Sequence, residues 1–121
     1  MKTLCKVLLV GNLGDKPVIK ENQAGEKWTR LRVATNRSFL QDGQQKEETE
    51  WHTVFAYGKL AERCVAWLDK GRGVFVEGSL RSNEWTDKDG VVQRDRHIRA
   101  QEVHFMDRAQ KREGEALATA A

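Results

Sequence analysis

The chain has 121 residues, with 21 Lys and Arg against 18 Asp and Glu, a formal net charge of +3 and 32% charged residues. That is one ordinary domain, too short for two substantial cores. A mean hydropathy of −0.70 and a longest wholly apolar run of only Val7 to Val10 exclude a membrane span. A charge of +3 permits a polyanionic partner without requiring one, so function has to be read from where the charges and aromatics sit.

Leu4 to Val10 reads as a first strand, ended by Gly11 and Gly14. It briefly imitates a secretory leader, but the apolar part is too short and no small-x-small cleavage site follows, so the protein is expected to stay in the compartment where it is made. Pro17 suggests an edge or a bend before Val18 and Ile19. Lys27 to Arg37 alternates, with Leu31, Val33 and Thr35 on one face and Trp28, Arg30, Arg32, Ala34 and Asn36 on the other. Such a strand covers a core and shows a cationic back. Ser38 to Thr49 is polar around Asp42-Gly43 and reads as a long hairpin loop. In Glu50 to Tyr57, Trp51, Thr53, Phe55 and Tyr57 share one face, and His52, Val54 and Ala56 the other.

Leu60, Ala61, Cys64, Val65 and Leu68 carry the stripe of a short amphipathic helix closed by Lys70-Gly71. Val74, Val76, Gly78 and Leu80 are expected to line the inside of the next strand, with Phe75, Glu77, Ser79, Arg81, Asn83 and Trp85 outside. WTDKDG (85–90) turns the chain back. In the last strand, Val92 to Met106, the core positions Ile98, Ala100, Val103 and Phe105 change parity between 100 and 103, which predicts a bulge. Five strands with one helix between the third and fourth is the organisation of an all-β, Greek-key barrel of the OB type. A ferredoxin-like fold would need a second helix. Residues 1–106 form the expected domain, and 107–121, with one strong apolar side chain, a disordered or partly helical tail.

Catalytic and metal patterns are absent from the sequence. His52, His97 and His104 make no HxxxH or HExxH pattern, and no CxxC pair is present. Cys5 and Cys64 are expected to be reduced and buried, with a disulfide between them as the alternative. Gly11-Asn12-Leu13-Gly14 lacks the third glycine of a dinucleotide loop and the Lys-Ser/Thr of a P-loop. No enzyme, cofactor or metal is therefore expected.

The aromatics say more. Trp51 and Tyr57 share one strand face, Trp85 follows Arg81, and Phe39 lies beside Arg37. Aromatic rings among cations suit single-stranded nucleic acid, whose bases stack while its phosphates are neutralised, at about 1–3 kcal/mol per stacked base. A duplex hides its base faces. A protein-interaction module on the same barrel stays open on these grounds. Trp67, beside Leu68, reads first as core filling and otherwise as partial surface cover. Trp28 reads equally as a subunit contact or a ligand platform, and Arg72, Arg81, Arg94, Arg96 and Arg99 also suit a solvated surface. No residue reads the 2′-hydroxyl that separates RNA from DNA.

Five stretches resemble the bacterial single-stranded DNA-binding protein family. They are KVLLVGNLGDKPVIK, RVATNRSF, TEWHTVFAYGKLAERCVAWLDKG, GRGVFVEGSLRSNEWTDKDG and IRAQEVHFMDR, in that order through most of the chain. The resemblance implies an OB barrel that binds single-stranded DNA without sequence preference in replication, recombination and repair, and that catalyses nothing. It implies a homotetramer, with a dimer as the alternative, in the cytoplasm with the nucleoid. It places stacking aromatics at Phe39, Trp51, Tyr57 and Trp85 and basic contacts at Lys59, Lys70 and Arg81. Arg37 joins by proximity and Arg96 as a further cation, and His52 falls at a subunit contact. The chain departs from the family in having Phe39 for a tryptophan, Tyr57 for a phenylalanine, Arg94 for a tyrosine, Arg99 for an aliphatic residue and Trp28 for a smaller side chain. LATAA (117–121) stands where family members continue into a linker and an acidic tip, which leaves the recruitment of replication or repair proteins open.

Overall fold

The computed structural model describes residues 1–106, and the expected tail at 107–121 lies outside the described residues. The alternation along the chain becomes strands β1 (Val7–Leu13), β2 (Lys20–Glu21), β3 (Lys27–Gln41) and β4 (Gln44–Tyr57), helix α1 (Gly58–Trp67), then β5 (Gly73–Thr86) and β6 (Val92–Phe105). β2 is a two-residue pairing onto the start of β3. The other five strands run β1-β5-β6-β4-β3 and close through β1 back onto β3. Closure rests on Asn12↔Ala34 and Leu13↔Val33 and on a short parallel contact, Val54↔Ile98 and Phe55↔Arg99. This is a five-stranded OB barrel with its helix between the third and fourth long strands. Gly11 permits the closure, since a Cβ there would lie 2.3 Å from the Ala34 carbonyl oxygen.

Inside, Leu31, Val33, Val54, Val74 and Val76 are fully buried, with Leu9, Leu13, Ile98 and Val103 around them. Each such side chain contributes about 1.5–3 kcal/mol by leaving water. α1 covers one end of the barrel with Ala61, Cys64 and the adjoining Leu68. Burial pushes the Cys64 thiol up to about 11. Thr29, also sealed, donates its hydroxyl to the Val18 carbonyl at 2.8 Å. The expected bulge is present. Glu77 pairs with Glu102 and Gly78 with Ala100, leaving Gln101 over on β6.

Several expectations are corrected. Ser38 to Thr49 is not a loop. β3 and β4 stay paired out to Gln41↔Gln44, across a two-residue Asp42-Gly43 turn with φ of 54° and 77°, the left-handed pair of a type I′ hairpin. Backbone pairing and cross-strand contacts hold this ribbon without a buried face, among them Arg37 to Glu48 at 2.7 Å and Thr49 to Asn36 at 2.8 Å. Leu80 is 43% exposed because β5 and β6 likewise run on beyond the barrel as a second ribbon. β1 starts at Val7 rather than Leu4, so Cys5 is exposed and only Cys64 is buried. Trp67 is 71% exposed, because one position along a helix turns a side chain by about 100° away from Leu68. Phe105 is half-buried.

Candidate nucleic-acid interface

The odd–even alternation that fills the barrel leaves a second set of side chains outside. Arg32 pairs with Thr53 and Arg30 with Phe55 across β3–β4. Phe55 pairs with Arg99 on β6, and Arg99 and His97 pair with Ser79 and Arg81 on β5. One continuous outer face therefore crosses four strands. Its outward positions (28–34 on β3, 51–57 on β4, 97–99 on β6, 79–85 on β5) hold Arg30, Arg32, Arg81 and Arg99 and no acid.

Trp51 is 51% exposed. Its indole rests against Gly14, where a Cβ would meet the ring at 2.4 Å, and the Arg32 guanidinium lies 5.0 Å from its centre. Arg99 sits 4.7 Å from the Tyr57 ring. Trp85, 50% exposed, shares the outward parity of Arg81 on the β5 ribbon, and the Arg81 Nε donates to Ser79 Oγ at 3.4 Å. The Arg32–Trp51 and Arg99–Tyr57 pairs place cations beside partly open rings, the arrangement that stacks bases and tracks phosphates.

The remaining sequence-predicted residues are less closely gathered. Phe39 and Arg37 have the parity of Leu31 and Val33, so they lie on the other side of the β3–β4 ribbon from Trp51. Arg37 caps the Phe39 ring at 5.1 Å and is ion-paired to Glu48 at 2.7 Å. Such an exposed pair is worth about 0–1 kcal/mol, so a phosphate can compete for it. Arg96 pairs with Ser82 and has the inward parity of Ile98, opposite to Arg81. Lys59 and Lys70 are exposed at the two ends of α1. His52 is half-buried, with Nε2 hydrogen-bonded to Thr35 Oγ1 at 2.8 Å. Sequence reasoning placed Arg32 and Phe55 on outward faces without naming them as site residues, missed His97, and left Arg99 as solvated surface. Alternation with Trp28 and Arg30 gave Arg32 its face, but its contact with Trp51 depends on cross-strand register.

The opposite outer face, on β1, β5 and β6, is different. It exposes Leu8 and Val10 and gathers Glu77, Glu102 and His104, the grouping of metal-ligand types found among the described residues. Lys6 is ion-paired to Glu77 there. Its hydrogen bond holds Glu77 below the usual carboxylate range and raises Lys6 in turn.

The fold and the outer face together define an OB barrel with an aromatic and cationic outer surface. The Single-strand binding protein family matches residues 4–106, and the chain belongs to that family. It is 44% identical over 102 residues to a single-stranded DNA-binding protein of Xanthomonas axonopodis, covering 84% of this chain but only 57% of that one. It is 39% identical over 112 residues to single-stranded DNA-binding protein 1 of Xylella fastidiosa, covering 91% and 82%. Among solved structures it is similar to the Plasmodium falciparum SSB complexed with single-stranded DNA, with a TM-score of 0.79, 28% identity and coverage of 88% and 98%. It is also similar to the single-stranded DNA binding protein from Thermus aquaticus, with a TM-score of 0.76, 30% identity and coverage of 87% and 51%.

Proposed function

We propose that the protein binds single-stranded DNA without sequence preference and protects it during replication, recombination and repair, without catalysing a reaction. The observation that carries this reading is the continuous outer face across β3, β4, β6 and β5, where exposed rings lie beside arginines. Bases stack on Trp51, Tyr57 and Trp85, and on Phe39 where the strand passes over the β3–β4 ribbon. Arg37, Lys59, Lys70, Arg81 and Arg96 neutralise phosphate, joined by Arg32 and Arg99. A domain with an excess of three charges binds tightly by presenting several copies of this face to one strand. Homotetramer assembly, or a dimer, supplies them, with His52 at a subunit contact. Family membership supports this assembly and a place in the cytoplasm with the nucleoid. Among the described residues, no helix is long and apolar enough to cross a membrane.

The test is a titration of intrinsic fluorescence with oligo-dT, a matched duplex and a matched RNA, beside a mass measurement in solution. Saturable quenching by oligo-dT, weak binding of duplex and a multiple of the chain mass are expected. Equal affinity for duplex would contradict stacking. Preference for RNA would move the assignment to an RNA-binding barrel, and loss of all nucleic-acid binding would leave a protein-interaction module.

A further inference from the structure

Beside Tyr57, the outer face sinks into a cleft whose other walls, from Trp28 and Phe55 to Asn22 and Asn83, the stacking scheme does not use. Asn22, Trp28, Phe55, Tyr57, Asn83 and His97 line about 240 Å³. That is smaller than the ~300–1,000 Å³ of a drug-sized site and suited to one planar heterocycle. Trp28 and Phe55 are 5.8 Å apart at 54°, and Phe55 meets His97 edge-on at 4.9 Å and 88°, so the wall is continuous aromatic surface.

Its polar groups keep hydrogen-bonding capacity that the fold does not use. The Asn22 side-chain oxygen accepts from the backbone N–H groups of Ala24 and Glu26, which fixes the amide and leaves its NH₂ available. Asn83 has no side-chain hydrogen bond among the described residues. His97 is only 9% exposed, and its buried Nδ1 lacks a hydrogen-bond partner; the Asp95 carboxylate is 3.6 Å away. An unpaired buried nitrogen is costly and calls for an explanation. Cations stand on both sides, Lys20 at 5.3 Å from the Trp28 ring and Arg99 at 4.7 Å from that of Tyr57.

We infer that this cleft takes one base of the bound strand against Trp28 and Phe55, its edge toward Asn22 and Asn83 and its flanking phosphates near Lys20 and Arg99. The inference rests on the single-stranded DNA reading and adds to it. Stacking tolerates every base, whereas an edge facing the anchored Asn22 amide and the neighbouring Asn83 amide does not, so this one position carries a base preference within an otherwise indifferent groove.

Ultraviolet crosslinking of the full chain to oligo-dT carrying a single 5-iododeoxyuridine, with peptide mapping, tests it. Crosslinks at Trp28 or Phe55 are expected. Trp28→Ala should weaken oligo-dT binding by roughly 5- to 150-fold, the value of one stacked base, and Trp28→Phe should restore most of it. Asn83→Leu, at an exposed position, should bring the affinities for oligo-dT and oligo-dC together while the fold, followed by circular dichroism, stays intact. Crosslinks confined to other aromatics, with Trp28→Ala and Asn83→Leu binding both homopolymers as the wild type does, would overturn the cleft and leave the groove standing. Absence of any binding by the wild-type protein would overturn the underlying reading instead.

Discussion

Leu31, Val33, Val54 and Ala56 alternate along β3 and β4 with Arg30, Arg32, Phe55 and Tyr57. The first set is fully buried, and the second faces outward, half-buried or exposed. The same two strands thus carry a finished surface and an unfinished one. Folding satisfies the inward side chains by removing them from water. It leaves the outward ones with rings and cations that the barrel does not need, and that surplus is the physical content of the proposed binding surface. The other outer face also has a ring beside a cation, Phe105 under Arg63 at 5.5 Å, but it adds the exposed Leu8 and Val10 and the acids Glu77 and Glu102. Rings and cations outside the barrel therefore make a candidate nucleic-acid site only where acids do not sit among them to repel phosphate.

The sharpest break in the comparison comes from the inward set. Leu31→Ala should cost about 2–5 kcal/mol of stability, read as a lowered melting temperature, while DNA affinity measured well below that temperature stays near the wild-type value. An outward change should do the reverse. Gly14→Ala drives a Cβ into the Trp51 ring without removing it. Its affinity for oligo-dT should fall by up to about 1–3 kcal/mol, the value of one stacked base, with a shift in tryptophan emission. A smaller effect is expected for Arg81→Gln. If Arg81 meets one phosphate, the slope of log affinity against log salt should flatten by about 0.7. Least in energy but direct in meaning is thiol labelling at pH 8. Cys5, exposed, should react promptly, and Cys64, buried with its thiol pushed up to about 11, only after denaturation. Equal rates would mean that α1 does not seal the barrel end.

Much of the inward face was legible in the sequence because burial imposes a period of two. Leu31, Val33, Val54 and Val76 announce themselves, and the parity change between Ala100 and Val103 foretold the bulge opposite Glu77 and Gly78. The two ribbons were harder. Ser38 to Thr49 has no apolar face, so its pairing depends on a left-handed Asp42-Gly43 turn and on the backbone ladder, which composition does not display. Leu80 was assigned inward by a correct parity, but parity does not say where the barrel stops. Trp67 shows that an apolar residue next to a core residue on a helix need not share its face. Of the outer face, Trp51, Tyr57, Trp85 and Arg81 could be named in advance from residue type and resemblance. Arg32 over Trp51, Arg99 over Tyr57 and the His97 cleft could not, because each depends on contacts between strands distant in sequence.

The central claim is that outward rings, held by a barrel that does not require them, bind the bases. Titration of intrinsic fluorescence with oligo-dT, comparing wild type with Trp51→Ala, tests it most directly. The account predicts saturable quenching in the wild type and, in the variant, an unchanged melting temperature with affinity lower by about 1–3 kcal/mol. Superimposable binding curves for the two proteins would contradict it.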